Sequence, residues 1–109
     1  MFHHNPQINP IFKKGNKDVG VLLIHGFTAT PDCMRYLANH LNSLGFSVSA
    51  PLLAGHGTTK ENLAKTNWQD WYESCHQIFR KMQQDYSHIF VAGLSLGGLL
   101  ALKLAQDYP

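Results

Sequence analysis

Apolar residues along this chain gather in segments of two different periods. Residues 19–25 read V-G-V-L-L-I-H, an unbroken apolar run. Unbroken rather than alternating runs suit strands buried on both faces, as in parallel sheets covered by helices. Met34, Leu37, Ala38, Leu41 and Leu44 then recur at helical spacing. Residues 46–50 form a second short strand pattern, stopped by Pro51. A longer helical face follows in Trp68, Trp71, Tyr72, Cys75, Ile78, Phe79 and Met82. At that spacing aromatic residues read as core more readily than as an acyl-binding surface. Residues 89–92 give a third strand, and residues 99–105 a helix that is apolar nearly all round.

The punctuation agrees with these periods. Thr30 precedes Pro31 and Asp32, a helix-start pattern of N-cap, N1 proline and acidic first turn, and Gly45 ends that helix. Asn67 with Asp70 three residues on forms a weak capping box. Pro6, Pro10, Gly15 and Asn16 punctuate residues 1–18, which read as irregular, with Ile8, Ile11 and Phe12 able to tuck onto the body. Residues 19–109 read as β-α-β-α-β-α, with no repeat and no linker. The predicted fold is α/β, three layers around a parallel sheet of about three strands.

Composition narrows the function classes. The chain has 109 residues, enough for one domain, and 44% of them are hydrophobic, which argues against disorder. Net charge is +2 with no basic stripe, so nucleic acid is not an implied partner. Lys13-Lys14 and Arg80-Lys81 read as solvated surface pairs. No run is long enough to span a bilayer, and the first ten residues lack the basic start and apolar core of a secretory signal, so a cytoplasmic location is expected. Cys33 and Cys75 are not paired as C-x-x-C and read as free thiols, preferably buried, with Cys33 at the exposed side or edge of its helix. No base adjoins Cys33 to activate it. The seven histidines lack ligand spacing, so neither a metal nor a cofactor is expected.

The chemistry concentrates in Gly93-Leu94-Ser95-Leu96-Gly97-Gly98. A G-x-S-x-G run between a strand and a helix holds its serine on a sharp turn, where flanking glycines avoid collisions with the neighbouring elements. Serine is a poor nucleophile by itself and needs a base, plus donors for the charge that develops on the substrate oxygen. Ser95 is the candidate nucleophile. The candidate donors are two backbone N–H groups, Leu96 at a helix start and Phe27 in the loop His25-Gly26-Phe27 after the first strand. Gly26 lets that loop turn, and His25 reads as its hydrogen-bonded support. Gly93 and Gly97 support the elbow.

Four blocks resemble the bacterial carboxylesterase and monoacylglycerol lipase family of the α/β-hydrolase superfamily. They are V-L-L-I-H-G-F-T-A-T-P at residues 21–31, P-L-L-A-G-H-G at 51–57, D-W at 70–71, and V-A-G-L-S-L-G-G at 91–98. The resemblance implies part of an α/β-hydrolase fold and hydrolysis of short or medium acyl esters, or of monoacylglycerols, through an acyl-enzyme. It matches Ser95 to the nucleophile, and Phe27 and Leu96 to the oxyanion donors. It also implies a later cap, an acid and a histidine. After Ser95 this sequence has Asp107 but no histidine. The expected chain is therefore the N-terminal portion of such an enzyme, inactive alone. The alternatives are one half of a split hydrolase, completed by a C-terminal partner, and a non-catalytic interaction module.

The remaining histidines have plainer readings. His56, in its G-H-G loop, is the best substitute base, but turn formation is preferred. His3 and His4 lie in the N-terminal tail, and His40, His76 and His88 on or beside exposed positions. Asp32 and Asp70 read as helix-start charges. The third strand is expected to leave an open edge and, with the greasy last helix, an exposed apolar patch suited to self-association.

Overall fold

The computed structural model describes residues 8–109, so His3, His4 and Pro6 lie outside the described residues. Its elements in chain order are β1 (Ile11–Lys13), β2 (Val19–Ile24), a 3-10 turn (Pro31–Met34), α1 (Arg35–Ser43), β3 (Ser47–Ala50), α2 (Lys60–Ala64), α3 (Trp68–Asp85), β4 (His88–Gly93) and α4 (Leu96–Asp107). The sheet order is β1-β3-β2-β4. β2 pairs in parallel with β3 on one side and with β4 on the other.

β2 is central, and its side chains alternate between the two faces. Val21 and Leu23 meet Met34 and Ala38 of the 3-10 turn and α1, together with Val48, Ala50 and Ile11. Leu22 and Ile24 meet Cys75, Phe79 and Met82 of α3 and Leu100 and Leu104 of α4. The unbroken apolar run is thus a strand covered on both faces, in the expected three layers.

Three details differ from the sequence reading. Residues 1–18 were expected to be irregular, and the parallel sheet to have about three strands. Yet β1 forms inside that segment and pairs antiparallel with β3, Ile11 opposite Ala50, making four strands in a mixed sheet. A three-residue strand after a proline has no period of its own; its partner strand creates it. The first helix opens as a 3-10 turn, and the Thr30 side chain makes no capping bond. Finally, Trp68, on the same helix face as Cys75, is 48% exposed and outside the core cluster. Of the two free thiols, Cys75 is buried and Cys33 is exposed at its helix edge.

The other terminators behave as expected. Gly45 has φ +99°, and the Gly45 and Phe46 N–H groups donate to the Asn42 and Leu41 carbonyls, a Schellman cap. Asn67 and Asp70 form both halves of the capping box.

Candidate active site

Parallel pairing determines what meets at the C-terminal edge of the sheet. Ile24 is in register with Gly93, and the Leu94 N–H continues the ladder to the Ile24 carbonyl at 3.0 Å. The loops leaving β2 and β4 therefore run side by side. One is His25-Gly26-Phe27 and the other Leu94-Ser95-Leu96. A Cβ on Gly26 would lie 3.5 Å from Ser95 Cβ and 3.2 Å from the Leu94 carbonyl oxygen.

Ser95 is the N-cap of α4 with φ 58° and ψ −117°, a strained conformation for a residue with a side chain. The turn is possible because the residues two places away on either side, Gly93 and Gly97, lack side chains. A Cβ on Gly93 would strike the Gly97 backbone, and one on Gly97 would strike the carbonyl oxygens of Ile24 and His25. Both glycines let α4 press against the sheet so that Ser95 stands exposed at its rim.

The two candidate donors are available. Leu96 is the first residue of α4, where an N–H has no partner within the helix. The Phe27 N–H donates no hydrogen bond to another backbone group among the described residues.

His25 organises the first loop. It is fully buried, its Nδ1–H donates to the Gly26 carbonyl at 2.8 Å, and its Nε2 accepts the Leu53 N–H at 3.1 Å. These partners assign the proton to Nδ1 and the lone pair to Nε2. Burial holds its pKa below the usual histidine value, partly opposed by the bond to Gly26, with a smaller lowering from His56. His25 thus binds the β2 loop to the loop after β3.

His56 is 2% exposed, and its Nδ1 lies 3.1 Å from the Ala54 carbonyl. Its ring packs edgewise against His25 at 5.1 Å, Phe27 at 5.7 Å and Trp71 at 5.7 Å, and Phe27 also meets Trp71 at 5.3 Å. The substitute-base reading has no support in this packing, since a base must reach its proton and His56 is enclosed by rings. The helical spacing of Trp71 suggested core, and the residue is half-buried. Its place beneath Phe27 was not visible, because aromatic packing between distant segments leaves no local pattern. The Trp71 indole N–H donates to Thr66 Oγ1 at 2.9 Å, which holds the ring.

Asp107 is far from free. It accepts from Tyr72 and from Lys103, and the Tyr72 bond, then the Lys103 bond, lower its pKa. Burial pushes the Cys75 thiol up to about 12, which makes it inert packing rather than a nucleophile.

Comparisons with known proteins bear on the family and the fold. A family model described as serine aminopeptidase, S33 (Hydrolase_4) matches residues 15–109. A thermostable monoacylglycerol lipase of Bacillus sp. (strain H-257) is 45% identical over 98 residues, covering 90% of this chain and 39% of the lipase. A carboxylesterase of Bacillus subtilis (strain 168) is 38% identical over 99 residues, again covering 90% of this chain and 39% of the relative. A solved structure from work on two metagenome-derived lipolytic enzymes, LipS and LipT, superposes with a TM-score of 0.90 at 36% identity, covering 95% of this chain and 42% of that one. The chain thus spans about two fifths of the length of these relatives.

Proposed function

The chain belongs to the serine aminopeptidase S33 (Hydrolase_4) family, and from that premise we propose that it carries the nucleophile and oxyanion donors of a carboxylic-ester hydrolase. Its fold is part of the α/β-hydrolase fold. The observation that carries the reading is the juxtaposition of Ser95, strained and exposed at the start of α4, with the Gly26 backbone of the β2 loop.

In this reading Ser95 Oγ attacks the ester carbonyl carbon. The Phe27 and Leu96 N–H groups hold the oxygen as it gains negative charge, and the α4 dipole assists at its positive end. A histidine from a further segment or partner chain takes the Ser95 proton and returns it to the departing oxygen as the C–O bond breaks, so the alcohol leaves. Water, deprotonated the same way, later releases the acid from the acyl-enzyme. Ester rather than peptide substrates, short or medium acyl esters and monoacylglycerols among them, are favoured by the names of both Bacillus relatives. No cofactor enters the reaction, and the setting is cytoplasmic.

Among the described residues, neither His25 nor His56 is placed to supply the base. Both ring nitrogens of His25 are engaged, and His56 is enclosed. Turnover therefore needs a histidine and an acid from a further segment or partner chain. The free edge of β4 suits such a complement, or a second copy of the chain.

A fluorophosphonate probe tests the reading. Slow labelling of the 109-residue chain is expected at Ser95 and absent in Ser95→Ala, because oxyanion donors retain catalysis when triad members are lost. Equal labelling of both proteins would overturn it. p-Nitrophenyl ester turnover by the chain alone is expected to be negligible, since loss of the base removes on the order of a million-fold in kcat.

A further inference from the structure

Among the described residues, the only non-glycine residues with positive φ are Ser95 at 58° and Thr28 at 66°. The elbow accounts for the first. Thr28 immediately follows the candidate donor Phe27. A β-branched residue is poorly suited to the left-handed region, where its Cβ crowds the backbone.

The strain sits in a closed turn. The Ala29 N–H donates to the Gly26 carbonyl at 3.1 Å, across Phe27 and Thr28. Positive φ at the third residue of such a turn favours glycine or asparagine. The same Gly26 carbonyl accepts the His25 Nδ1–H at 2.8 Å, so two donors hold it. A planar trans peptide points its carbonyl and its N–H in opposite directions. The partner of the Gly26 carbonyl in that plane is the Phe27 N–H. Fixing the one aims the other.

We infer that Thr28 is a positioning residue: its left-handed backbone closes the Gly26–Ala29 turn and thereby sets the direction of the Phe27 N–H. Thr28 is exposed, and its hydroxyl makes no hydrogen bond among the described residues, so the side chain does not repay the strain. The two hydrogen bonds at the Gly26 carbonyl, from the Ala29 N–H and the His25 ring, hold it, together with the Phe27 ring against His56 and Trp71. Glycine would adopt the same φ without strain, but over a wide basin. Threonine has a narrow left-handed well. The residue gives up stability for a defined donor direction, as strained residues at functional sites do.

The inference rests on the reading of Phe27 as an oxyanion donor, and the test separates the two. Thr28→Gly and Thr28→Val are compared with the wild-type chain by thermal midpoint, by the 15N order parameter of the Phe27 amide, and by the rate of Ser95 labelling with a fluorophosphonate. Thr28→Gly is expected to melt higher, while the Phe27 order parameter falls from about 0.85 towards 0.6 and labelling slows roughly five- to tenfold. Thr28→Val keeps the β-branch and loses the hydroxyl, so it should label within about twofold of wild type. Three results would overturn the inference: Thr28→Gly melting lower as it labels more slowly, Thr28→Gly matching wild type in both order parameter and rate, or Thr28→Val losing as much rate as Thr28→Gly. Absence of Ser95-dependent labelling in wild type would instead count against the ester-hydrolase reading. Thr28 would then be judged on the midpoint and the order parameter alone: a higher midpoint with a looser Phe27 amide supports it, and any other pair sinks it.

Discussion

At the residue scale, His25 makes the stability of the chain depend on pH. It is neutral in the folded state, and its pKa lies below the usual histidine value of about 6.5, chiefly through burial. The unfolded chain therefore binds the proton more readily. Its contribution to stability is present above about 6.5 and is lost as pH falls through the folded value. Protonation of Nε2 would also remove the acceptor that holds the Leu53 N–H. Denaturant melts at pH 7.5 and pH 5.5 should show a loss at the lower pH, and His25→Gln should lose much of that difference. Gly97 carries a different constraint, with no titration in it. Gly97→Ala would drive a Cβ into the Ile24 and His25 carbonyls and part α4 from β2. A cost of about 3 kcal/mol is expected from such overpacking, read as a shift in urea midpoint with unchanged slope.

Elements inherit these constraints through their ends. α3 starts at a capping box in which the Asn67 side chain accepts the Asp70 N–H at 3.1 Å and the Asp70 carboxylate accepts the Asn67 N–H at 3.0 Å. Asn67→Ala should cost about 1 kcal/mol. Trp71 closes the first turn of α3, its N–H donating to the Asn67 carbonyl at 3.1 Å, and its ring packs against Phe27. A frayed α3 start would therefore loosen the oxyanion loop as well as the helix. Slower labelling of Ser95 in Asn67→Ala, beyond what its lowered stability explains, would connect the two; an unchanged rate would make the cap purely local.

At the scale of the molecule, coverage of the sheet is uneven. The 3-10 turn and α1 pack over β2, β3 and β1, while α3 and α4 fill the other face. β4 is an edge strand whose outward residues leave Phe90 64% exposed, and Leu102 of α4 is 67% exposed. A parallel edge strand with an apolar residue facing water invites pairing. No helix among the described residues is long and apolar enough to cross a membrane. The purified chain is expected to elute from size-exclusion chromatography in a concentration-dependent way, and Phe90→Lys should shift it towards monomer. A monomer at all concentrations would mean that the edge is protected.

The sequence by itself determined the elements whose information is local. The apolar run of β2, the Gly45 terminator, the Asn67 box and the glycines around Ser95 each act through neighbours in the chain, so period and spacing reveal them. Ser95, Phe27 and Leu96 were named from the same local motifs, and His25 as loop support. Tertiary structure decided what depends on partners distant in the chain. β1 exists because β3 offers it an edge. Trp68 shares the helix face of Cys75 yet is half exposed, because as the first residue of α3 it lies outside the core cluster that the rest of that face packs into. His56 is enclosed because Phe27 and Trp71 converge on it from two other segments. Thr28 lies in the left-handed region, which no threonine prefers by itself, because the two hydrogen bonds at Gly26 and the packing of Phe27 leave it nowhere else to go.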